Sequence, residues 1–196
     1  RRSNYRFKLN PNIMKLRWLC LFPFFIMSTN TLQAQQGFVF GAGVGMGVLY
    51  LKTANSTYKD KTALSIPNLR LGYRFNKRFA LIGLQPGSVY KLKSKDRVFE
   101  AVHITGQYWI KDRIWVSAGS GITVDGPAFY TWSNKDKEGF YLGLPSVSLG
   151  TGYELWRKNN FVLDIQYRFF YGRSRLETNQ FRTGNSSGIL LGMNWY

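Results

Sequence analysis

Few residues in this chain have types and spacing suited to chemistry. His103-Ile104-Thr105 puts an imidazole and a hydroxyl two positions apart. A base beside a hydroxyl is the minimum for nucleophilic catalysis, and in an extended strand positions two apart share a face. No acid of the same segment falls on that face to orient the ring, because Glu100 has the opposite parity. The chain is therefore expected not to be an enzyme, and no catalytic residue is assigned. With one His, and Cys20 as the only cysteine, the remaining metal ligands are scattered carboxylates, so no metal site or cofactor is expected either. The run Gly41-Ala42-Gly43-Val44-Gly45-Met46-Gly47 superficially resembles a dinucleotide loop. No helix pattern or distant acid follows it, as that chemistry requires. Glycines facing a narrow interior, leaving room for large side chains opposite, account for it better.

A second set recurs at alternate positions of apolar segments: Arg70, Arg74, His103, Gln107, Glu154, Asp164, Gln166 and Arg168. Alternation of this kind is the mark of strands with two unlike faces. Residues 37–50 put Phe38, Phe40, Ala42, Val44, Met46, Val48 and Tyr50 on one face. Further strands are expected at about 64–75, 79–90, 98–110, 114–124, 140–155, 161–171 and 187–196. In 98–110 the apolar face is Val102, Ile104, Tyr108 and Ile110. In 161–171 it is Phe161, Leu163, Ile165, Tyr167, Phe169 and Tyr171. The segment 79–90 alternates weakly. Its outer face is read as Ala80, Ile82, Leu84, Pro86 and Tyr90, with Gln85 inward. Turns at 76–78, 111–113 and 156–160 are short, whereas 51–63, 125–139 and 173–185 read as long polar loops, with 91–97 short again. No segment reads as an amphipathic helix.

Residues 14–34 hold Lys15 and Arg17, then an apolar run Trp18–Met27, then Leu32-Gln33-Ala34. That is the layout of a cleavable export signal. The run is about half of the ~20 residues a spanning helix needs. Residues 1–13 read as an upstream extension without fold signal, and 35–196 as the one folded domain. Cys20 lies in the apolar run and leaves with it, so the folded part can form no disulfide. The full chain carries 27 Lys+Arg against 10 Asp+Glu; removing the six basic residues of 1–34 leaves 21 against 10, or +11. These charges gather in the connections, not in a patch. Anionic lipid and lipopolysaccharide phosphates are therefore the expected counter-charges, and nucleic acid is not.

Eight antiparallel strands joined in sequence can close on themselves, which removes edges that lipid could not tolerate. The expected fold class is all-β, an eight-stranded antiparallel up-and-down transmembrane β-barrel, preceded by a cleavable signal peptide. Alternation alone does not say which face is inside, and a water-soluble barrel would bury its apolar face. Three features favour the bilayer. The polar face is rich in Gly and Ser. No disulfide is available. Aromatic residues gather near strand ends of the apolar face, at Tyr50, Phe75, Tyr90, Tyr108, Tyr153, Phe161, Tyr171 and Trp195.

The segments Leu69–Phe75, Leu84–Tyr90, Gly150–Leu155 and Leu191–Tyr196 carry a family resemblance. The chain resembles the outer-membrane β-barrel domain proteins of Bacteroidetes, small OmpX/OmpW-like barrels of porin-family type. The resemblance implies a Gram-negative outer membrane, insertion by the barrel-assembly machinery, and a lumen filled by an ion and hydrogen-bond network. Such chains usually end in Phe in phase with the outward residues; here Trp195 is in phase and Tyr196 follows it. The expected role is a membrane-anchored structural or surface-interaction protein acting through its outer loops. Phe129, Tyr130, Trp132, Lys135 and Lys137 would meet an extracellular protein or glycan, or else form a solvated tip. A narrow path for ions or small solutes is the alternative, and lipid A modification a remote one.

Overall fold

A computed structural model describes residues 36–54, 56–92, 95–131 and 139–196. The expected signal peptide, 14–34, and upstream extension, 1–13, with Cys20, lie outside the described residues. Ten strands follow in order: β1 Gly37–Thr53, β2 Ser56–Ser65, β3 Arg70–Arg74, β4 Phe79–Leu84, β5 Gly87–Leu92, β6 Lys95–Lys111, β7 Ile114–Pro127, β8 Tyr141–Lys158, β9 Phe161–Arg175 and β10 Phe181–Trp195. Among the described residues there is no α-helix, only a 3₁₀ turn at Phe129–Thr131.

Every ladder is antiparallel, and β10 returns to pair with β1 from Phe40↔Trp195 to Lys52↔Thr183. The ring therefore closes through β1, β3, β4, β6, β7, β8, β9 and β10, an eight-stranded barrel. Two staves are broken. β2 and β3 pair with successive halves of β1, and β4 and β5 with successive halves of β6. Pro67 and Pro86, which have no N–H to give a ladder, stand at these joints. Beyond the joints β2 and β5 adjoin without a ladder, and Ser65 Oγ donates across the seam to the Gly87 carbonyl.

One end of the ring is closed by tight turns. Asn76 Oδ1 accepts from the amides of Arg78 (2.8 Å) and Phe79 (2.9 Å), which fixes the β3–β4 turn. Asn159 takes the β8–β9 turn with φ 52°. The other end rises in paired hairpins. Residues 51–63 and 173–185, expected as loops, are mostly strand, with β2 beginning at Ser56 and β9 running to Arg175. Polar residues fall on both faces of those hairpins, so no clean alternation marks them, while pairing still satisfies their backbone groups.

Exposed apolar side chains band the outside. They include Phe40 and Met46 on β1, Leu71 on β3, Leu81 on β4, Ile104 on β6, Val116 on β7, Leu149 on β8, Ile165 on β9 and Leu191 on β10. Aromatic contacts join into a girdle at the turn end: Phe38–Tyr73, Tyr73–Phe75, Phe75–Phe79, Phe40–Trp195 and Trp195–Phe161.

The parity of 79–90 is the reverse of the expected one. Ala80, Ile82, Leu84 and Tyr90 are buried inside, and Gln85 lies on the outer face. Phe79–Leu84 is apolar on both faces, so hydrophobicity carries no parity there. The three-residue turn sets it instead, by the pairing Arg74↔Ala80. Tyr90 consequently leaves the expected girdle. The β1 glycines also differ from expectation. A Cβ on Gly45 or Gly47 would meet the carbonyls of Ile189 (2.1 Å) and Ser187 (2.0 Å), so close approach of the β10 backbone, not a large side chain opposite, requires them.

Candidate functional site

The inward face builds a stack of layers along the barrel axis. At the turn end, Arg74 lies 3.8 Å over the Trp109 ring and 5.3 Å from that of Tyr196, and donates to the carbonyls of Asn76 (3.2 Å) and Lys77 (2.6 Å). Trp109 Nε1 donates to Glu154 (2.7 Å), which also binds Arg157, itself bridged to Asp112. An apolar layer of Val39, Ala80, Ile82, Trp109 and Trp115 packs beside them.

Next comes Asp164, 3.7 Å from Arg70, taking further hydrogen bonds from Trp115 Nε1 (3.3 Å) and Gln166 Nε2 (2.6 Å). Arg70 donates to Asn194 (2.7 Å) and to Gln107. Above it, Arg168 donates to Gln166 and to Asn68 (3.3 Å). The structure thus buries all eight residues of the sequence-derived inner set and brings Arg70, Gln107, Asp164, Gln166 and Arg168 into one connected group. Among the described residues Arg74 and Arg168 make no ion pair. Stacking and carbonyls hold the first, and amide oxygens the second. Such contacts offset part of the desolvation of a buried cation without a carboxylate.

His103 sits between two hydroxyls, Ser146 Oγ at 2.6 Å from Nε2 and Ser148 Oγ at 2.8 Å from Nδ1, and packs against Phe170. The hydroxyl of Thr105, two positions on, makes no hydrogen bond among the described residues. The imidazole is fully buried, and no acid touches it among the described residues. This is packing geometry, with both ring nitrogens satisfied.

An apolar layer then crosses the lumen. Leu49 and Leu51 of β1, Ala63 of β2, Tyr90 of β5, Phe99 and Ala101 of β6, and Phe170 of β9 meet in one cluster. Phe99 and Phe170 rings lie 5.4 Å apart, and a Cβ on Gly184 would strike both Leu51 and Phe99 at 2.5 Å. Over this layer, at the hairpin end, lies an ion cluster that the sequence reading did not contain. Asp125 is buried between Arg97 (2.9 Å) and Arg182, with Tyr90 Oη donating to it at 2.9 Å and accepting from Arg182 at 2.8 Å. Arg97, Asp125 and Arg182 were hidden in stretches read as connections. Extending the inward parity of 98–110, 114–124 and 187–196 beyond the expected strand ends would have reached all three.

Of the expected contact loop, Phe129 and Tyr130 are exposed and edge-packed at 5.3 Å. Tyr130 Oη donates to Asp96 (3.1 Å); partial burial, then Asp96, raises the phenol pKa. Trp132, Lys135 and Lys137 lie outside the described residues. Among those described, no group of three His, Cys, Asp or Glu could hold a metal ion.

The barrel resembles solved outer-membrane proteins. Neisserial surface protein A superposes with a TM-score of 0.51 at 20% identity, covering 81% of this chain and 96% of its own. The N-terminal β-barrel domain of Pseudomonas aeruginosa OprF gives 0.47 at 16%, covering 82% and 99%. Ail, the attachment invasion locus protein of Yersinia pestis, gives 0.46 at 17%, covering 80% and 99%. No protein-family model and no curated sequence matches. The first likeness carries the fold: this is the architecture of a small outer-membrane β-barrel.

Proposed function

We propose that this chain is a Gram-negative outer-membrane protein that acts as a membrane-anchored structural or surface-interaction protein through its hairpin end. The observation that carries this is the direction of the side chains. Every stave of the ring exposes apolar residues outward, and no charged side chain interrupts the outer positions from Phe38 to Tyr50, Val102 to Ile110 or Ser187 to Trp195. The buried ions point inward. In water that arrangement would expose a large apolar area; in a bilayer it is the stable one.

The tight turns then face the periplasm and the paired hairpins the outside. Phe129 and Tyr130 offer an exposed aromatic corner to an extracellular protein or glycan. Lipid and lipopolysaccharide surround the band, and the barrel-assembly machinery inserts it. Neither nucleic acid nor a cofactor enters this reading, nor does catalysis.

A narrow ion path is the second reading, favoured by the polar groups around Asp164. The Leu49–Phe99–Phe170 layer and the Asp125 cluster lie across such a path and weigh against it.

The test is fractionation of the expressing cell. The protein should enter the outer-membrane fraction and run on gels as a compact band unheated and a slower one after boiling. Protease added to whole cells should cut at the hairpin end, within 128–140. A water-soluble monomer without detergent is the contrary result.

A further inference from the structure

One outward-facing feature has no part in the lumen. Glu100 belongs to the outer face of β6, two positions beyond Val102, where the exposed apolar band of that strand ends. Beside it is a cavity of about 350 Å³ lined by Pro67, Leu69, Gln85, Val98, Pro127 and Phe129, with Glu100 in its wall. The volume lies in the range of small-ligand sites, and so does the makeup of an apolar wall with a few polar groups. Gln85 Nε2 donates to Glu100 Oε2 at 2.9 Å. The other carboxylate oxygen, Oε1, takes no hydrogen bond among the described residues, and no cation pairs with Glu100.

A carboxylate in apolar surroundings without a counter-charge is costly. Here Gln85 holds one of its oxygens, and Glu100 stands in the wall of the cavity. Val98, though on the outer face, is buried by the cavity wall, so the pocket is roofed rather than flat. Leu69, in its lining, belongs to the exposed band.

We propose that this cavity binds a long-chain primary ammonium amphiphile of the outer leaflet. Glu100 and the Gln85 carbonyl hold its head group, and the Leu69–Val98–Phe129 wall holds the start of its chain. An ammonium supplies three donors and a compact charge, which match one free carboxylate oxygen and one amide oxygen. The chain requirement follows from the lining, which apart from Gln85 and Glu100 is apolar. The inference rests on the membrane reading above.

The test uses the full chain refolded in neutral maltoside micelles, with folding read by the heat-modifiable gel band. Dodecylammonium is titrated while the Gln85 side-chain amide and the Glu100 backbone amide are followed by ¹H–¹⁵N NMR. Both should shift saturably at one equivalent. Glu100→Gln, which keeps size and the Gln85 contact, should weaken binding about tenfold or more, the scale of one charge-assisted hydrogen bond. Butylammonium and dodecyl sulfate should give no saturable shift. An equal response in Glu100→Gln, an equal response to butylammonium, or only linear partitioning overturns the site. A folded band without a saturable shift overturns the site alone, whereas no folded band in micelles overturns the barrel reading and the site with it.

Discussion

Arg97 Nη2 and Asp125 Oδ1 lie 2.9 Å apart, both side chains buried, at the hairpin end of the ring. Asp125 also holds Arg182 from β10, so one carboxylate ties β7, β6 and β10 across the lumen. Two guanidiniums on one acid make the acid the member that cannot be spared.

Asp125→Asn should therefore destabilise the barrel more than Arg182→Ala does. The first takes the shared carboxylate from both guanidiniums; the second still leaves Asp125 with Arg97. A loss of about 3–5 kcal/mol is expected for Asp125→Asn, the scale of a broken buried pair. Guanidinium unfolding in micelles measures it, and equal losses for the two variants would remove Asp125 from its central place.

Backbone contact makes a different prediction at Gly121. A Cβ there would sit 1.9 Å from the Val102 carbonyl, which is a ladder atom of β6 and cannot swing away. At Gly106 the nearest atom would be the Phe79 ring at 3.6 Å, ordinary contact. Gly121→Ala should yield little heat-modifiable folded band, and Gly106→Ala a normal amount. Normal folding of both would mean that β6 and β7 can separate without cost.

The contrast between these residues shows what a sequence can carry. Inward parity was readable for Arg70, His103, Asp164 and Arg168 because one face of each strand was plainly apolar and the other was not. It was unreadable for Ala80, Ile82 and Leu84, where both faces are apolar and only the turn before them sets the register. It also failed for Arg97, Asp125 and Arg182. There the chain has risen past the apolar band, both faces are polar, and the strand looks like a loop. Glu100 was seen only as an acid of the wrong parity for His103. Its place in a cavity depends on Pro127 and Phe129 coming together with Val98 and Pro67, which no periodicity encodes.

The apolar layer of Leu49, Phe99 and Phe170 should block ions. Planar bilayers holding the wild-type barrel are expected to be electrically silent, because a dry constriction offers no replacement for an ion's hydration shell. Phe170→Ala removes the ring packed on Phe99 and should introduce brief openings, at a stability loss of about 3–5 kcal/mol. Steady openings in the wild type, unchanged in the variant, would restore the channel reading.

Arg74 gives the last prediction. Among the described residues its guanidinium has no carboxylate partner; it lies 3.8 Å over Trp109, with Tyr196 beyond and two turn carbonyls as acceptors. Lysine keeps the charge but loses the plane that stacks and the fork that reaches both carbonyls. Arg74→Lys should therefore cost about 1–2 kcal/mol, the range of a desolvated cation–ring contact. Arg78→Lys, in the exposed part of the same turn, should stay within about 0.5 kcal/mol of wild type. Unfolding midpoints of the two variants in one micelle system decide it. If Arg74→Lys matches Arg78→Lys, charge alone holds that end of the lumen and the stacking is incidental.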